Sequence, residues 1–181
     1  MSKSLLKALL VMGSALITSL SSPVVMGKGV YQSGPEFIAD AFQHPAKAQV
    51  LWLTDNIRDK AQTILGRPVM GLRVRYHQAG NKTAWILEEI GKEMPITIGV
   101  VITGHQISQV KILAYRESRG GEVRYPAYTK QYLGAALTNE YQLDQSIDGI
   151  TGATLSVWAV NKVAALALYY HSQTKQPATD K

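Results

Sequence analysis

The sequence predicts a single α+β domain in which an antiparallel β-meander of about four strands packs against helices. Three observations predict it. Residues alternate in polarity between positions 72 and 115, with three short turn clusters breaking the alternation. Apolar residues recur at spacings of three and four before position 66 and again after position 154. No internal repeat and no Pro/Gly-rich linker divides the chain. With 181 residues, 46% of them hydrophobic and 18% charged, the chain can bury roughly 70% of the surface its unfolded form exposes. Its core can therefore be apolar, with no need of a disulfide or metal staple.

Residues 1–27 have the layout of an export signal: Lys3 and Lys7, an apolar run from Ala8 to Leu20, then Ser21, Ser22, Pro23 and Val-Val-Met-Gly ending at Gly27. The run of 13 residues is short of the roughly 20 that cross a hydrocarbon core. Cleavage is therefore expected, after Gly27 if Val25 and Gly27 fill the minus-three and minus-one positions. An uncleaved segment would anchor the chain with the same topology, so either outcome implies a periplasmic or other extracytoplasmic domain. Removing the segment takes two lysines and no acid from 19 basic and 13 acidic residues, lowering the net charge from +6 to +4. Arg67, Arg73, Arg75, Arg116, Arg119 and Arg124 resemble a nucleic-acid surface less than a solvated strand face, and no nucleic-acid partner is expected. An anionic cofactor or an acidic exported partner suits the same charge.

The elements follow in order. From Pro35 to Gly66 the pattern is helical: Phe37, Ala41 and Phe42 form a first piece, His44 and Pro45 break it, and Val50, Leu53, Ile57, Ala61 and Ile64 form a second. Gly66 and Pro68 supply the stop. Leu72, Val74 and Tyr76 then alternate with Arg73, Arg75 and His77, and Ala79-Gly80-Asn81-Lys82 turns into a strand from Ala84 to Ile90. Gly91-Lys92-Glu93 turns into Ile96 to Thr103, and Gly104-His105-Gln106 turns into Ile107 to Tyr115. The run 96–103 carries β-branched residues on both faces, as a central strand covered on two sides does. Helices are expected over one face of the sheet. Glu117-Ser-Arg-Gly-Gly-Glu-Val123 reads as a loop, Pro126 opens a short helix carrying Tyr128, Tyr132 and Leu133, and a polar stretch leads to Asp148. A final helix runs from about Thr154 to His171 on Leu155, Trp158, Ala159, Val163, Leu166 and Tyr170, followed by a polar tail. The implied divisions are 1–27, 28–83 (helices and first strand), 84–171 (core) and 172–181 (tail).

The absence of cysteine excludes thiolate-held iron–sulfur clusters, c-type haem attachment, cysteine nucleophiles and thiolate zinc. His44, His77, His105 and His171 have no metal-ligand spacing, and no Ser-centred elbow, Walker loop or dinucleotide fingerprint occurs. Any redox cofactor must be held in another way. The informative segment is Asp148-Gly-Ile-Thr-Gly-Ala-Thr154-Leu-Ser156, small and hydroxyl residues directly before an apolar helix. It reads either as an ordinary N-cap or as an anion site, where first-turn amides and the hydroxyls of Thr151, Thr154 and Ser156 receive a phosphate.

This segment resembles the flavinylation motif of the FMN-binding domain family, an Asp, two intervening positions and Ser/Thr-Gly-Ala-Thr. That family includes the flavin-carrying subunits of Rnf-type and sodium-pumping NADH:quinone reductase complexes. The resemblance covers Ala84 to about Tyr170. It implies Thr154 as the acceptor of a covalent FMN phosphoester, Asp148 as the motif acid for recognition or local hydrogen bonding, and Thr151 in the Ser/Thr position. Gly152 and Ala153 would keep the main chain approachable, and Ser156 would add a hydroxyl. It also implies an FMN transferase that supplies the activating base and metal, a membrane electron donor and an extracytoplasmic redox acceptor. The Glu117 loop would line the flavin ring, with Arg119 or Gly121 donating to ring carbonyls. Here it reads Glu-Ser-Arg-Gly-Gly-Glu, a departure from the Glu-Thr-Pro-Gly form of the pump subunits, and Glu117 has the alternative of pairing with a surface arginine. The functional expectation is an exported electron-transfer flavoprotein, a carrier more than a stand-alone enzyme. The alternatives are the flavin-bearing component of an extracytoplasmic reductase and a non-redox ligand-binding scaffold.

Overall fold

The structure, a computed structural model, describes residues 29–174. The expected export signal and the end of the polar tail lie outside the described residues. Within them, five strands form one antiparallel sheet in sequence order: β1 (Lys47–Trp52), β2 (Arg73–Ala79), β3 (Lys82–Ile90), β4 (Pro95–Thr103) and β5 (Gln106–Ala114). Four helices accompany it: α1 (Gly34–Ala41), α2 (Asp55–Leu65), α3 (Pro126–Thr129) and α4 (Thr154–Ser172). The α+β class and the single domain are as predicted, with one strand more.

The extra strand is β1, which the spacing of Val50, Leu53 and Ile57 assigned to the second helix. Its six residues instead pair with β2 from Lys47↔Gln78 to Trp52↔Arg73. A run of three-and-four spacings can arise by chance over two short elements. Here Thr54 separates them, because its hydroxyl accepts from the Ile57 N–H at 3.4 Å and starts α2 afresh. Gly66, at φ 71°, ends α2 in the left-handed region, as expected.

Helices cover both faces of the sheet, not one. α4 and α2 pack on the face carrying Tyr76, Trp85, Ile96, Ile98, Val100 and Ile112. α1 packs on the other face against Ala84, Val101 and Leu113. Phe37 of α1 lies so close to Gly99 that a Cβ there would be 2.5 Å from its ring, so the short α1 reaches the sheet only because β4 has a glycine at that point. This double cover explains the apolar character of both faces of β4. α4 is buried on most sides, and at its C-terminal end His171 joins the sheet: Nδ1 lies 2.7 Å from the Thr83 hydroxyl and Nε2 lies 2.5 Å from the Gly104 carbonyl. α4 therefore starts at the end of the sheet where β3 turns into β4 and finishes at the end where β4 turns into β5.

Candidate functional site

Three segments far apart in sequence meet at the N-terminus of α4. They are the 91–94 turn between β3 and β4, the loop after β5, and residues 152–156. Lys92, Glu93, Glu117, Ser118, Arg119, Gly152, Ala153, Thr154, Leu155 and Ser156 line a cleft of about 580 Å³. That falls within the roughly 300–1,000 Å³ of small-molecule sites.

The approach to α4 is built from a turn. Ala153 donates its N–H to the Ile150 carbonyl at 2.9 Å, closing the turn over Thr151 and Gly152. Gly152 has φ +81°, which a side chain rarely adopts, whereas a Cβ there would meet nothing within 4 Å. The glycine is needed for the backbone bend more than for space. The helix ladder opens with the Val157 N–H to the Ala153 carbonyl at 3.0 Å, and no side chain caps this end. The N–H groups of Thr154, Leu155 and Ser156 are thus left with no intrahelical partner at the positive end of a 19-residue helix. Of the two readings of this segment, side-chain capping is absent and open amides are present. Thr154 occupies the first helical position, exposed, beside those amides.

Ser156 has a different role. Its buried hydroxyl lies 2.9 Å from the Tyr115 hydroxyl, which in turn bonds the Arg119 carbonyl. A carbonyl only accepts, so the single Tyr115 proton goes to Arg119 and Ser156 donates to Tyr115. Ser156 therefore ties the helix to the loop. Burial raises the Tyr115 pKa, keeping the phenol protonated for this bond.

The loop is held at both ends. Glu117 Oε1 accepts from the N–H groups of Lys92, Glu93 and Met94 at 2.5, 2.7 and 2.9 Å. Partial burial works against its charge, but these three donors outweigh it and hold the carboxyl below the ordinary 4.5. Of the two roles weighed for Glu117, the arginine pair is not formed among the described residues, while the residue does stand in the wall of the cleft with one carboxylate oxygen committed to the turn. The tight glycine of the loop is Gly120, at φ +82°, where a Cβ would stand 2.8 Å from the Tyr115 hydroxyl, 3.0 Å from Ala153 Cβ and 3.1 Å from Ser156 Oγ. Gly121 opens a 3₁₀ turn (Gly121–Arg124) and lies outside this cleft, on the other side of the loop. Arg119 stands exposed at the rim with no carboxylate partner among the described residues.

Asp148 is not brought into the cleft. Its N–H donates to Gln131 Oε1 at 2.7 Å, and its carboxylate is exposed. Thr151 is likewise exposed on the turn outside the lining. Tyr128 and Tyr132 are buried against each other, hydroxyls 2.7 Å apart, with Tyr132 donating to Asn161 Oδ1 at 2.5 Å. They are core. Sequence reasoning missed Tyr115, Gly120 and the 92–94 amides. A tyrosine closing a strand two residues before a glycine loop was the available cue for the first.

Open first-turn amides, an exposed threonine at the first helical position and a cleft of nucleotide size fit a phosphate-bearing ligand that enters beside α4. Residues 91–169 match the model of the FMN-binding domain family. That stretch belongs to the family, and the protein is a flavin-binding protein. A search of the curated proteins finds no match.

Proposed function

We propose that this protein is an exported electron carrier holding FMN through a phosphoester to Thr154, loaded by an FMN transferase and placed between a membrane donor and an extracytoplasmic acceptor. The observation that carries it is the position of Thr154: its hydroxyl is exposed at the head of α4, beside three unpartnered amides and on the wall of the cleft. A noncovalent phosphate site would need only the amides. A reachable hydroxyl beside them adds a point of attachment.

The chain's own residues divide the work. Thr154 offers its oxygen to the flavin phosphate of an activated flavin dinucleotide: the O–H bond breaks and its proton leaves, a P–O bond to Thr154 forms, and the pyrophosphate P–O bond breaks to release the nucleoside monophosphate. No carboxylate or imidazole is hydrogen-bonded to Thr154 among the described residues, so the base belongs to the transferase. The amides of Thr154, Leu155 and Ser156 would hold the phosphate oxygens. Ala153 stays small because Gly120 passes against it, and Arg119 at the rim offers a donor to an anionic or carbonyl group. Bound FMN supplies hydride and single-electron chemistry, and the surrounding chain tunes it through contacts and hydrogen bonds. Covalent attachment prevents loss of the cofactor outside the cytoplasm.

Peptide mass spectrometry of the tryptic fragment Gln131–Lys162, from protein made in a transferase-competent host, tests this. An added FMN mass on Thr154, absent in Thr154→Ala, is expected. An unmodified fragment and a colourless wild-type protein would sink the covalent reading.

A further inference from the structure

β1 ends at Trp52, β2 begins at Arg73, β3 ends at Ile90, β4 begins at Pro95 and β5 ends at Ala114, so these termini lie at one end of the sheet. α4 begins there too, since Thr154 shares the cleft with Lys92 and Glu93. The apolar side chains that folding leaves open gather at this end. Trp52 (63% exposed), Leu72 (65%), Ile90 (47%), Met94 (43%), Leu155 (43%) and Trp158 (57%) are more than half of the large apolar side chains exposed among the described residues. The turns at the opposite end, 79–82 and 103–106, are built mostly from glycine and polar residues. Isolated exposed apolar residues need no explanation, but a cluster does. Two of the three tryptophans stand open here, one on the sheet layer and one on α4.

The charges at this end are of both signs, and the Glu117 carboxylate, held by the 92–94 amides, forms no ion pair of its own. Arg67 pairs with Glu89 at 2.8 Å, Lys92 with Glu93 at 3.3 Å and Arg116 with Glu88 at 3.9 Å. Arg73 and Arg119 have no carboxylate partner among the described residues, and the Arg73 guanidinium lies 5.8 Å from the centre of the Trp52 ring. The chain also joins the fold here: Tyr115 donates its N–H to the Gly29 carbonyl at 2.7 Å.

We propose that this end is a membrane-docking face. It would seat Trp52, Leu72, Met94 and Trp158 among the headgroups of an anionic bilayer and set Arg73 and Arg119 against lipid phosphates. Indole rings favour that boundary because they are apolar bodies with one donor, and guanidinium groups match phosphate oxygens in pairs. A protein partner would also cover an apolar rim. The arginines without a carboxylate partner and the two open tryptophans together favour lipid. The cleft is then turned toward the membrane.

Vesicle co-sedimentation tests this with the processed protein, against phosphatidylglycerol-rich vesicles and pure phosphatidylcholine vesicles. Preference for the anionic vesicles is expected, with a blue shift of tryptophan emission. Arg73→Gln weakens binding about fivefold, and high salt erases that difference. Trp52→Ala with Trp158→Ala weakens binding about tenfold or more and abolishes the blue shift. Leu133→Ala, an open leucine outside this face (48% exposed), leaves binding unchanged. The processed form lacks residues 1–27, so the leader cannot produce the result. Equal binding of the wild type and the double tryptophan variant, or no preference for anionic vesicles, would overturn the proposal.

Discussion

Tyr115 and Ser156 share a hydrogen bond of 2.9 Å across 41 positions of sequence, joining the end of β5 to the first turn of α4. The same phenol donates to the Arg119 carbonyl, so one side chain fixes two walls of the cleft. Tyr115→Phe keeps the ring and deletes both bonds, leaving a buried serine hydroxyl and a carbonyl without their partner. The expected cost is about 1–3 kcal/mol of unfolding free energy, measured by denaturant titration. Hydrogen exchange should quicken at 118–121 more than in β4, because the loop loses its tether to the helix.

Gly120 and Gly121 are predicted to differ sharply. At Gly120 alanine meets both a left-handed backbone and the Tyr115 hydroxyl at 2.8 Å. Gly120→Ala should cost about 2 kcal/mol or more. At Gly121 the nearest atom to a new Cβ is the mobile tip of Arg124 at 3.3 Å, with no positive φ, and Gly121→Ala should stay within about 0.5 kcal/mol. Similar losses at both positions would show that the loop is held by something other than the Gly120 contact.

The legible parts of the molecule were those whose signals are local. Alternation located β2 to β5 within a few residues, and the apolar run after Thr154 located α4. Gly152 was singled out as a small residue that leaves the main chain open, whereas its place in the fold is set by the positive φ of a turn. β1 was not legible, because only Leu51 of its six residues is buried and its identity comes from backbone pairing with β2. The role of Glu117 was hidden for a related reason. Its partners are backbone amides 23 to 25 positions away, and every residue type has such an amide. Gly121 was singled out over Gly120 because adjacent glycines look alike until the Tyr115 contact is known.

Glu117 gives the cleft an acid limit. Its folded carboxyl lies below the ordinary 4.5, held there against partial burial by three amide donors. A depressed carboxylate contributes stability that is fully present above its unfolded value and is lost as pH falls through the lower folded value. Melting temperature should therefore decline on acidification below about 4.5 more steeply in the wild type than in Glu117→Gln. At neutral pH, Glu117→Gln should be less harmful than Glu117→Ala, because the amide oxygen still accepts from the turn while the charge-assisted part is gone. Identical pH profiles for the wild type and Glu117→Gln would remove Glu117 as the source.

His171 sets a second pH dependence at the far end of α4. The Gly104 carbonyl only accepts, so Nε2 carries the ring proton, and Nδ1 receives the Thr83 hydroxyl, whose oxygen accepts from the Trp85 indole at 2.8 Å. A second ring proton would land on Nδ1 and face the Thr83 hydroxyl. Burial, the largest cause, and the charge of His105 lower the His171 pKa below 6.5, although the bond to Gly104 opposes them. A histidine with a depressed pKa contributes stability that is complete above its unfolded value and disappears as pH falls through the folded one. Denaturation midpoints should thus be flat above about pH 7 and decline below 6.5, with the ring proton resonance of His171 titrating beneath that value. His171→Gln should be less stable at pH 7.5 yet show a flatter profile down to pH 5. A wild-type midpoint that holds constant from pH 7.5 to 5 would mean that α4 is not anchored through a neutral imidazole.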